Sequence, residues 1–509
     1  MQKVAQGQAL ALQRRLATTP DPLALYATLT DSGRRADTFL LERSVGPTLL
    51  MDQAAVRIEC RGQEVTLFAL SSGGEQVLAA VRKGLDKRVA ASSQRNLTLR
   101  FPGPEGDDAE ARLLAPSPLD ALRAVIGFVP ASKEEPFTIA ALGVVAFDQA
   151  DLFETLPANA EDPLDFPDYV FWLAESLIVF EPGARPRVLC TAFGAGEAAY
   201  HDASRRLAAL VERCADVVAL PEPPAPIAAD ATAVDLDDAA YGAIVSKLRR
   251  HIAQGDIYQI VPSRTFRAPC PNPLLSYAAQ RRLDPSPYQF FVAGPDHILF
   301  GASPETSVRV FGREGAHVVE VKPIAGTRPR GSTDDEDDRL EAEMRLDQKE
   351  TAEHMMLVDL ARNDVARVSR SGTRRVARLM SVERYARVMH LVSSVTGQLR
   401  EGLDALHALQ ACLNVGTLTG APKIRATELL RETEVTKRGP YGGAIGWISG
   451  EGLMDTGVVI RSAVVKDGIA YVRAGAGVVF DSDPQREADE TRRKASALLS
   501  VLAATGEAA

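Results

Sequence analysis

The chain has 509 residues, 46% hydrophobic and 25% charged, a balance typical of globular enzymes with a sizeable core. Its net charge is -9 and its pI about 5.5, and its basic pairs, such as Arg34-Arg35 and Arg374-Arg375, are short and dispersed, which argues against a nucleic-acid binder. No apolar run approaches the ~20 residues that cross a bilayer. The N-terminal segment MQKVAQGQALALQRRLATTPDP has no continuous apolar stretch of the secretory type, and Cys60, Cys190, Cys214, Cys270 and Cys412 are scattered without CxxC spacing; both features suit a reducing cytoplasm.

In chain order, an N-terminal half carries strand-like runs, AVRIEC and VTLFAL among them, and ends in YVFWLAESLIVF. Cys60, in IECRGQE, superficially resembles a glutaminase nucleophile, but the glycine pattern around it is wrong and no nucleophile elbow is evident. The segment 221–238, PEPPAPIAADATAVDLDD, is rich in Pro and Ala. It is predicted as a linker between an N-terminal region, 1–220, and a C-terminal region, 239–509.

In the C-terminal region, Val321 to Gly331 reads VKPIAGTRPRG and is predicted as a loop. Its Gly326-Thr327 pair can offer backbone N–H groups and a hydroxyl to a carboxylate. Lys349 to Val368 is predicted as a helix with Glu350, Glu353, Leu357, Leu360 and Asp364 on one face. His390, in RVMHLVSS, is either a satisfied core histidine or a group that moves a proton near neutral pH. Lys423 ends GTLTGAPK, which lacks the GxxxxGK[ST] spacing of a phosphate loop, so nucleotide binding is rejected. Ile469 to Ala474 alternates like a strand, and Gly475-Ala476-Gly477 lets the backbone approach a ligand closely. Asp483-Pro484 is predicted as the N-cap and first residue of a last helix. On that helix Glu487 and Glu490 repeat the spacing of Glu350 and Glu353, and Lys494 lies one turn beyond Glu490. Two readings stay open: solvated helix faces, or four carboxylates converging on a hard cation that relieves their repulsion.

Seven segments then stand in order: IYQIVPSR at 257–264, FGASPE at 300–305, PIAGTRPRG at 323–331, EHMMLVDLARND at 353–364, VMHL at 388–391, GTLTGAPK at 416–423, and GAG with EADET at 475–477 and 487–491. Together they resemble the chorismate-utilising enzymes, and within them the large subunit of anthranilate synthases. LLER at Leu40 to Arg43 and PDYVFWLAES at Pro167 to Ser176 carry the resemblance into the N-terminal half. It implies an α+β fold, a large sandwich of two antiparallel β-sheets with helices between them, and makes 239–509 the chorismate-binding catalytic region. It implies Mg²⁺ on Glu353 and Glu490, with Glu350 and Glu487 acting through bound water. Gly326, Thr327, Thr417, Tyr441, Arg461, Gly475, Gly477 and Lys494 are then expected around the substrate. Arg461, Tyr441 and the backbone at Gly475 to Gly477 would meet the enolpyruvyl carboxylate. Thr327 and Thr417 line the ring, Glu305 is the candidate acid for the departing C4 hydroxyl, and His390 is tied to the loss of pyruvate.

The activity implied is amination of chorismate at C2 by ammonia, followed by elimination of pyruvate to give anthranilate. A separate glutamine amidotransferase subunit would supply the ammonia, which predicts a hetero-oligomer. Ala325 stands where aminodeoxychorismate synthases place a lysine, and this favours direct attack by ammonia. His390 speaks against an enzyme that stops at aminodeoxyisochorismate. The intact set of Glu353, Glu490, His390 and Arg461 speaks against a non-catalytic tryptophan-sensing homologue.

At one place the chain departs from the resemblance. Feedback-sensitive relatives bind tryptophan between an LLES-type motif and an NPSPYMFF-type segment. Here Arg43 replaces the serine, Asp284 the asparagine and Gln289 the methionine. An arginine fills the space and adds a cation, and an amide facing an indole costs roughly 1–3 kcal/mol. Arg43 is expected to pair with Asp284 across the pocket. These changes predict weak inhibition by tryptophan or none, as suits an enzyme feeding secondary metabolism such as quinolone or phenazine production.

Overall fold

The computed structural model describes all residues except 1–8, 107, 131–134, 159, 229–232, 314, 386–387 and 508–509. The start of the N-terminal segment and residues 229–232 of the predicted linker lie outside the described residues.

Two long strands, Thr48–Arg61 and Tyr169–Phe180, organise the molecule. Their mutual pairing slips between Met51 and Val56, and bulges of this kind bend a strand and let its two ends diverge. Each strand therefore serves two sheets. On the Thr48 side, Thr38–Arg43 is followed by Tyr288–Ala293, Ile298–Ser303, Ser462–Lys466, Ile469–Gly475 and Ser263–Pro269. On the Arg61 side lies Glu64–Ala69, and beyond Tyr169–Phe180 come Ala140–Val145, Ala444–Ser449, Met454–Val458, Thr306–Phe311, Val318–Val321 and Val388–Gln398. All of these pairings are antiparallel.

Successive side chains on a strand face opposite sides, and here both sides are apolar. Phe39, Leu41, Trp172, Tyr288, Phe290 and Trp447 meet between the sheets. Leu40, Phe291 and Phe300 face outward and pack with Tyr277 and Leu498, from helices Pro273–Leu283 and Pro484–Glu507. Val56, Ala141 and Val308 do the same with Val358 and Leu409, from Gln348–Val368 and Ala405–Cys412. Each valine, leucine or phenylalanine among them contributes about 1.5–3 kcal/mol on burial. The sandwich is the one the resemblance implies. Its long helices lie on the outer faces rather than between the sheets, because the inner faces already fill each other.

The division into two regions is one of sequence only. Arg43 stands opposite Tyr288 and Val145 opposite Ala444, so strands of the N-terminal region sit between strands of the C-terminal region in one sandwich. The linker also ends earlier than predicted. Ala233–Val234 pairs with Ser263–Pro269, and helix Asp238–Gln254 starts inside the predicted segment. Asp237 caps that helix, accepting from the Ala240 N–H at 2.8 Å; a short polar side chain at this position satisfies an otherwise unpaired donor. The predicted strand at 469 is Ile469–Gly475, and Asp483 caps the last helix through the Arg486 N–H at 3.0 Å. Among the described residues no helix is long and apolar enough to cross a membrane.

Candidate active site

Helix Gln348–Val368 presents Glu350 and Glu353, and helix Pro484–Glu507 presents Glu487 and Glu490. The two pairs feel each other. Burial raises the Glu353 carboxyl above its ordinary range; Lys349 opposes this, and Glu350, Glu487 and Glu490 each add to it. Burial likewise raises Glu487, with the Ser482 hydroxyl opposing and Glu490 adding. The acids of the two helices are thus near enough to raise one another. Three of the four acids also lean on a cation: Arg328 donates to Glu350 at 3.2 Å, Lys349 lies 3.8 Å from Glu353 and Lys494 2.8 Å from Glu490. Among the described residues no three His, Cys, Asp or Glu side chains form a ready-made metal cage. The two observations are compatible, because Mg²⁺ takes one or two carboxylates and keeps several waters. Acids that raise one another's pKa across a gap are relieved by a cation between them, so the donor set fits a hard divalent ion.

Gly326 and Thr327 lie in a strand, Ile324–Pro329, and not in the predicted loop. Pairing with Val388–Gln398 slips between Ala325 and Thr327. The bulge turns Gly326 to a φ of 66°, which glycine adopts without strain. A Cβ there would lie 3.3 Å from Glu350 Oε2, so the bulge brings the backbone against the acid cluster. His390 Nδ1 is 3.0 Å from the Gly326 carbonyl and 3.1 Å from Thr327 Oγ1. A carbonyl only accepts, so Nδ1 carries the proton and Nε2 is left as the basic nitrogen. Burial holds His390 below its ordinary value, with the Gly326 carbonyl opposing and Arg461 lowering it further. It is a neutral base at neutral pH.

Glu305 follows strand Ile298–Ser303 and is buried. The Thr417 hydroxyl donates to its Oε1 at 2.7 Å. Burial pushes its carboxyl up to about 7, with Thr417 and Lys494 opposing. A carboxyl in that range is substantially protonated at neutral pH and can act as an acid. Its acid form is complete well below pH 7 and is lost as pH rises through that value. With neutral ammonia held at constant concentration, kcat is therefore expected to fall as pH rises through about 7. Glu305→Gln should lower the rate about a hundredfold and remove this limb; the same descending limb in that variant would refute the assignment.

Gly475 ends its strand opposite Ser263. A Cβ on it would stand 2.7 Å from the Pro262 carbonyl and 3.1 Å from the Tyr441 hydroxyl. Only glycine lets the phenol lie against this backbone. Burial raises the Tyr441 phenol, with Arg438 and Arg473 opposing, so it stays a neutral donor. Lys494 donates to the Gly475 carbonyl at 2.9 Å and pairs with Glu490, which ties the glycine turn to the acidic helix. Arg461 is exposed, has a φ of 49° and acts electrostatically on His390. The expected residues thus gather at one end of the sandwich. Sequence reasoning missed Gln259: it is buried, its Oε1 has no hydrogen-bond partner among the described residues, and a Cβ on Gly477 would lie 3.0 Å from its Nε2. A lone amide inside the apolar run IYQIV was the available signal. Lys423 is a tether, donating to Asp364 at 2.7 Å and to the Cys412 carbonyl at 3.1 Å.

A family model described as chorismate binding enzyme matches residues 74–500. The chain belongs to the chorismate binding enzymes. Anthranilate synthase component 1 of Vibrio cholerae serotype O1 is 46% identical, covering 96% of this chain and 96% of that one. Anthranilate synthase component 1, pyocyanine specific, of Pseudomonas aeruginosa is 49% identical over 89% of this chain and 86% of that one. Among solved structures, anthranilate synthase component I from Streptococcus pneumoniae TIGR4 aligns with a TM-score of 0.71 at 31% identity, covering 90% of this chain and 93% of that one.

In this chorismate binding enzyme Arg43 is held on two sides. The guanidinium lies 3.6 Å over the Tyr288 ring and 2.6 Å from Asp455, with 5% of the side chain exposed. The expected pairing with Asp284 does not form: the Asp284 carboxylate accepts the Ser286 hydroxyl at 2.8 Å. Asp455 is buried beside Arg43 and already accepts the Tyr288 hydroxyl at 2.8 Å, and a buried carboxylate demands the nearer cation. Gln289 donates to the carbonyls of Arg281 and Asp284, both at 3.1 Å, so its amide closes the end of helix Pro273–Leu283.

Proposed function

We propose that this enzyme converts chorismate and ammonia to anthranilate and pyruvate. The observation that carries this reading is the contrast between Glu305, held up near 7, and His390, held down as a neutral base. Environments that push two titratable groups apart mark an acid and a base. Glu305 gives its proton to the departing C4 hydroxyl as ammonia adds at C2. Arg461, Tyr441 and the backbone of Gly475 to Gly477 hold the enolpyruvyl carboxylate, and Thr327 and Thr417 line the ring. His390 Nε2 then takes the C2 proton as the bond from C3 to the enolpyruvyl oxygen breaks; the ring becomes aromatic, and the released enolpyruvate gains a proton on its methylene carbon to become pyruvate. Glu353 and Glu490 would hold Mg²⁺, helped by Glu350 and Glu487 through water; when bound, the ion would withdraw electron density through the ring carboxylate.

The ammonia is supplied by a separate glutamine amidotransferase subunit. Burial pushes the thiols of Cys190, Cys214 and Cys412 up to about 12 and that of Cys270 to about 11, and holds Cys60 well above its ordinary value. A nucleophilic cysteine needs the opposite shift. The relatives named component 1 support the same division of labour. The test is the purified chain with chorismate, Mg²⁺ and ammonium, followed by anthranilate fluorescence. Anthranilate should form, and glutamine should replace ammonium only when a glutaminase subunit is added. Product arrested at aminodeoxyisochorismate, or glutamine-dependent turnover by the chain alone, would overturn the reading.

We further propose that tryptophan inhibits weakly or not at all, and that the enzyme serves a specialised product. Arg43 fills the space between Tyr288 and Asp455 with a cation, and the relative named as pyocyanine specific supports this use. Half-inhibition at low micromolar tryptophan, a binding energy of about 8 kcal/mol, would show a working pocket. Arg43→Ser should at least partly restore inhibition, read from initial rates against rising tryptophan.

A further inference from the structure

We infer that His354 is the positioning residue of the acidic helix, holding Glu350 and Glu353 at their setting against the His390 strand through Ser393. Its imidazole is fully buried, and Nε2 lies 2.6 Å from Ser393 Oγ. Ser393 is a junction of three further connections. It lies on Val388–Gln398, the strand of His390. Its Oγ accepts the Met380 N–H at 2.9 Å from the neighbouring strand Arg375–Arg384, and its own N–H donates to the Pro323 carbonyl at 3.1 Å, just before the Gly326 bulge. One side chain on the helix is thus bonded to the point where the strands carrying Gly326 and His390 are joined.

Consecutive helical residues differ by about 100° in direction. When Glu353 lies toward the other acids, His354 is turned into the protein interior, where it can fix the height and rotation of the helix without touching substrate or metal. Its Nδ1 has no hydrogen-bond partner among the described residues. An apolar side chain would fill the same space without leaving that atom unpaired, so packing alone does not account for the imidazole. The helix has other tethers: Arg328 reaches Asp347 at 3.1 Å near its start and Glu350 at 3.2 Å, and Lys423 reaches Asp364 at 2.7 Å toward its end. His354 is the tether directly beside the proposed metal ligand.

The inference rests on the Mg²⁺ reading above, and the test separates the two. Mg²⁺ binding is measured on the full chain by calorimetry and by the Mg²⁺-dependent rise in melting temperature, alongside kcat. Ser393→Ala, which deletes one hydroxyl, and His354→Leu should each weaken Mg²⁺ binding about tenfold or more, as lost outer-shell partners do. His354→Gln, whose amide can still reach Ser393, should recover most of the loss. The double variant Ser393→Ala/His354→Leu should be no worse than the poorer single one. If His354→Leu does not fold, Ser393→Ala and His354→Gln carry the test. Wild-type Mg²⁺ binding in Ser393→Ala, or no recovery in His354→Gln, overturns the inference. A wild-type chain that binds no Mg²⁺ sinks the metal reading and this inference together.

Discussion

Glu353→Gln and Glu490→Gln should each abolish anthranilate formation while leaving the fold intact. Glutamine keeps the shape of the side chain and removes the charge that a hard cation requires. A metal acting as a Lewis acid contributes several kcal/mol to the transition state. At about 1.4 kcal/mol per tenfold change in rate, its loss lowers kcat roughly a thousandfold or more. The acids also repel one another, since Glu350, Glu487 and Glu490 all raise the Glu353 carboxyl. Either glutamine relieves part of that repulsion. The metal-free variants should therefore melt no lower than the metal-free wild type, which separates lost chemistry from lost folding. Glu350→Gln and Glu487→Gln, assigned to metal-bound waters, should lose about 10–100-fold. Turnover, Mg²⁺ titration and melting curves check this, and wild-type-like activity at ordinary Mg²⁺ in Glu353→Gln or Glu490→Gln would remove the metal assignment.

His390→Met is expected to slow the loss of pyruvate by about 10²–10⁴-fold, the usual range for a lost acid–base group, and to leave amination nearly unchanged. Methionine fills the space of the imidazole but has no basic nitrogen and cannot donate to the Gly326 carbonyl, 3.0 Å from Nδ1 in the native chain. Aminodeoxyisochorismate should be released and be detectable by chromatography. An unchanged yield of anthranilate per chorismate consumed would take this role from His390.

Much of the site is local and could be read directly. The i, i+3 spacing of each acid pair follows from the helical period. Asp483-Pro484 starts the last helix by its own side-chain and ring chemistry. The alternation ending at Gly475 is that of a strand. Fold class comes through the family that the ordered motifs resemble, because the strand pairings join residues far apart in the chain and leave no local signal.

What the sequence by itself determined is therefore the elements, their caps and the identity of the chemical groups. Only the tertiary structure decided which groups meet. It set the acids of two distant helices against one another and made the Gly326 segment a bulged strand rather than a loop, because the partner strand bearing His390 lies far along the chain. It ended the linker early, because the edge strand Ser263–Pro269 was there to pair with Ala233–Val234. It gave Arg43 to Asp455 rather than to Asp284, since a buried charge takes the partner that packing brings nearest, whatever their separation in sequence.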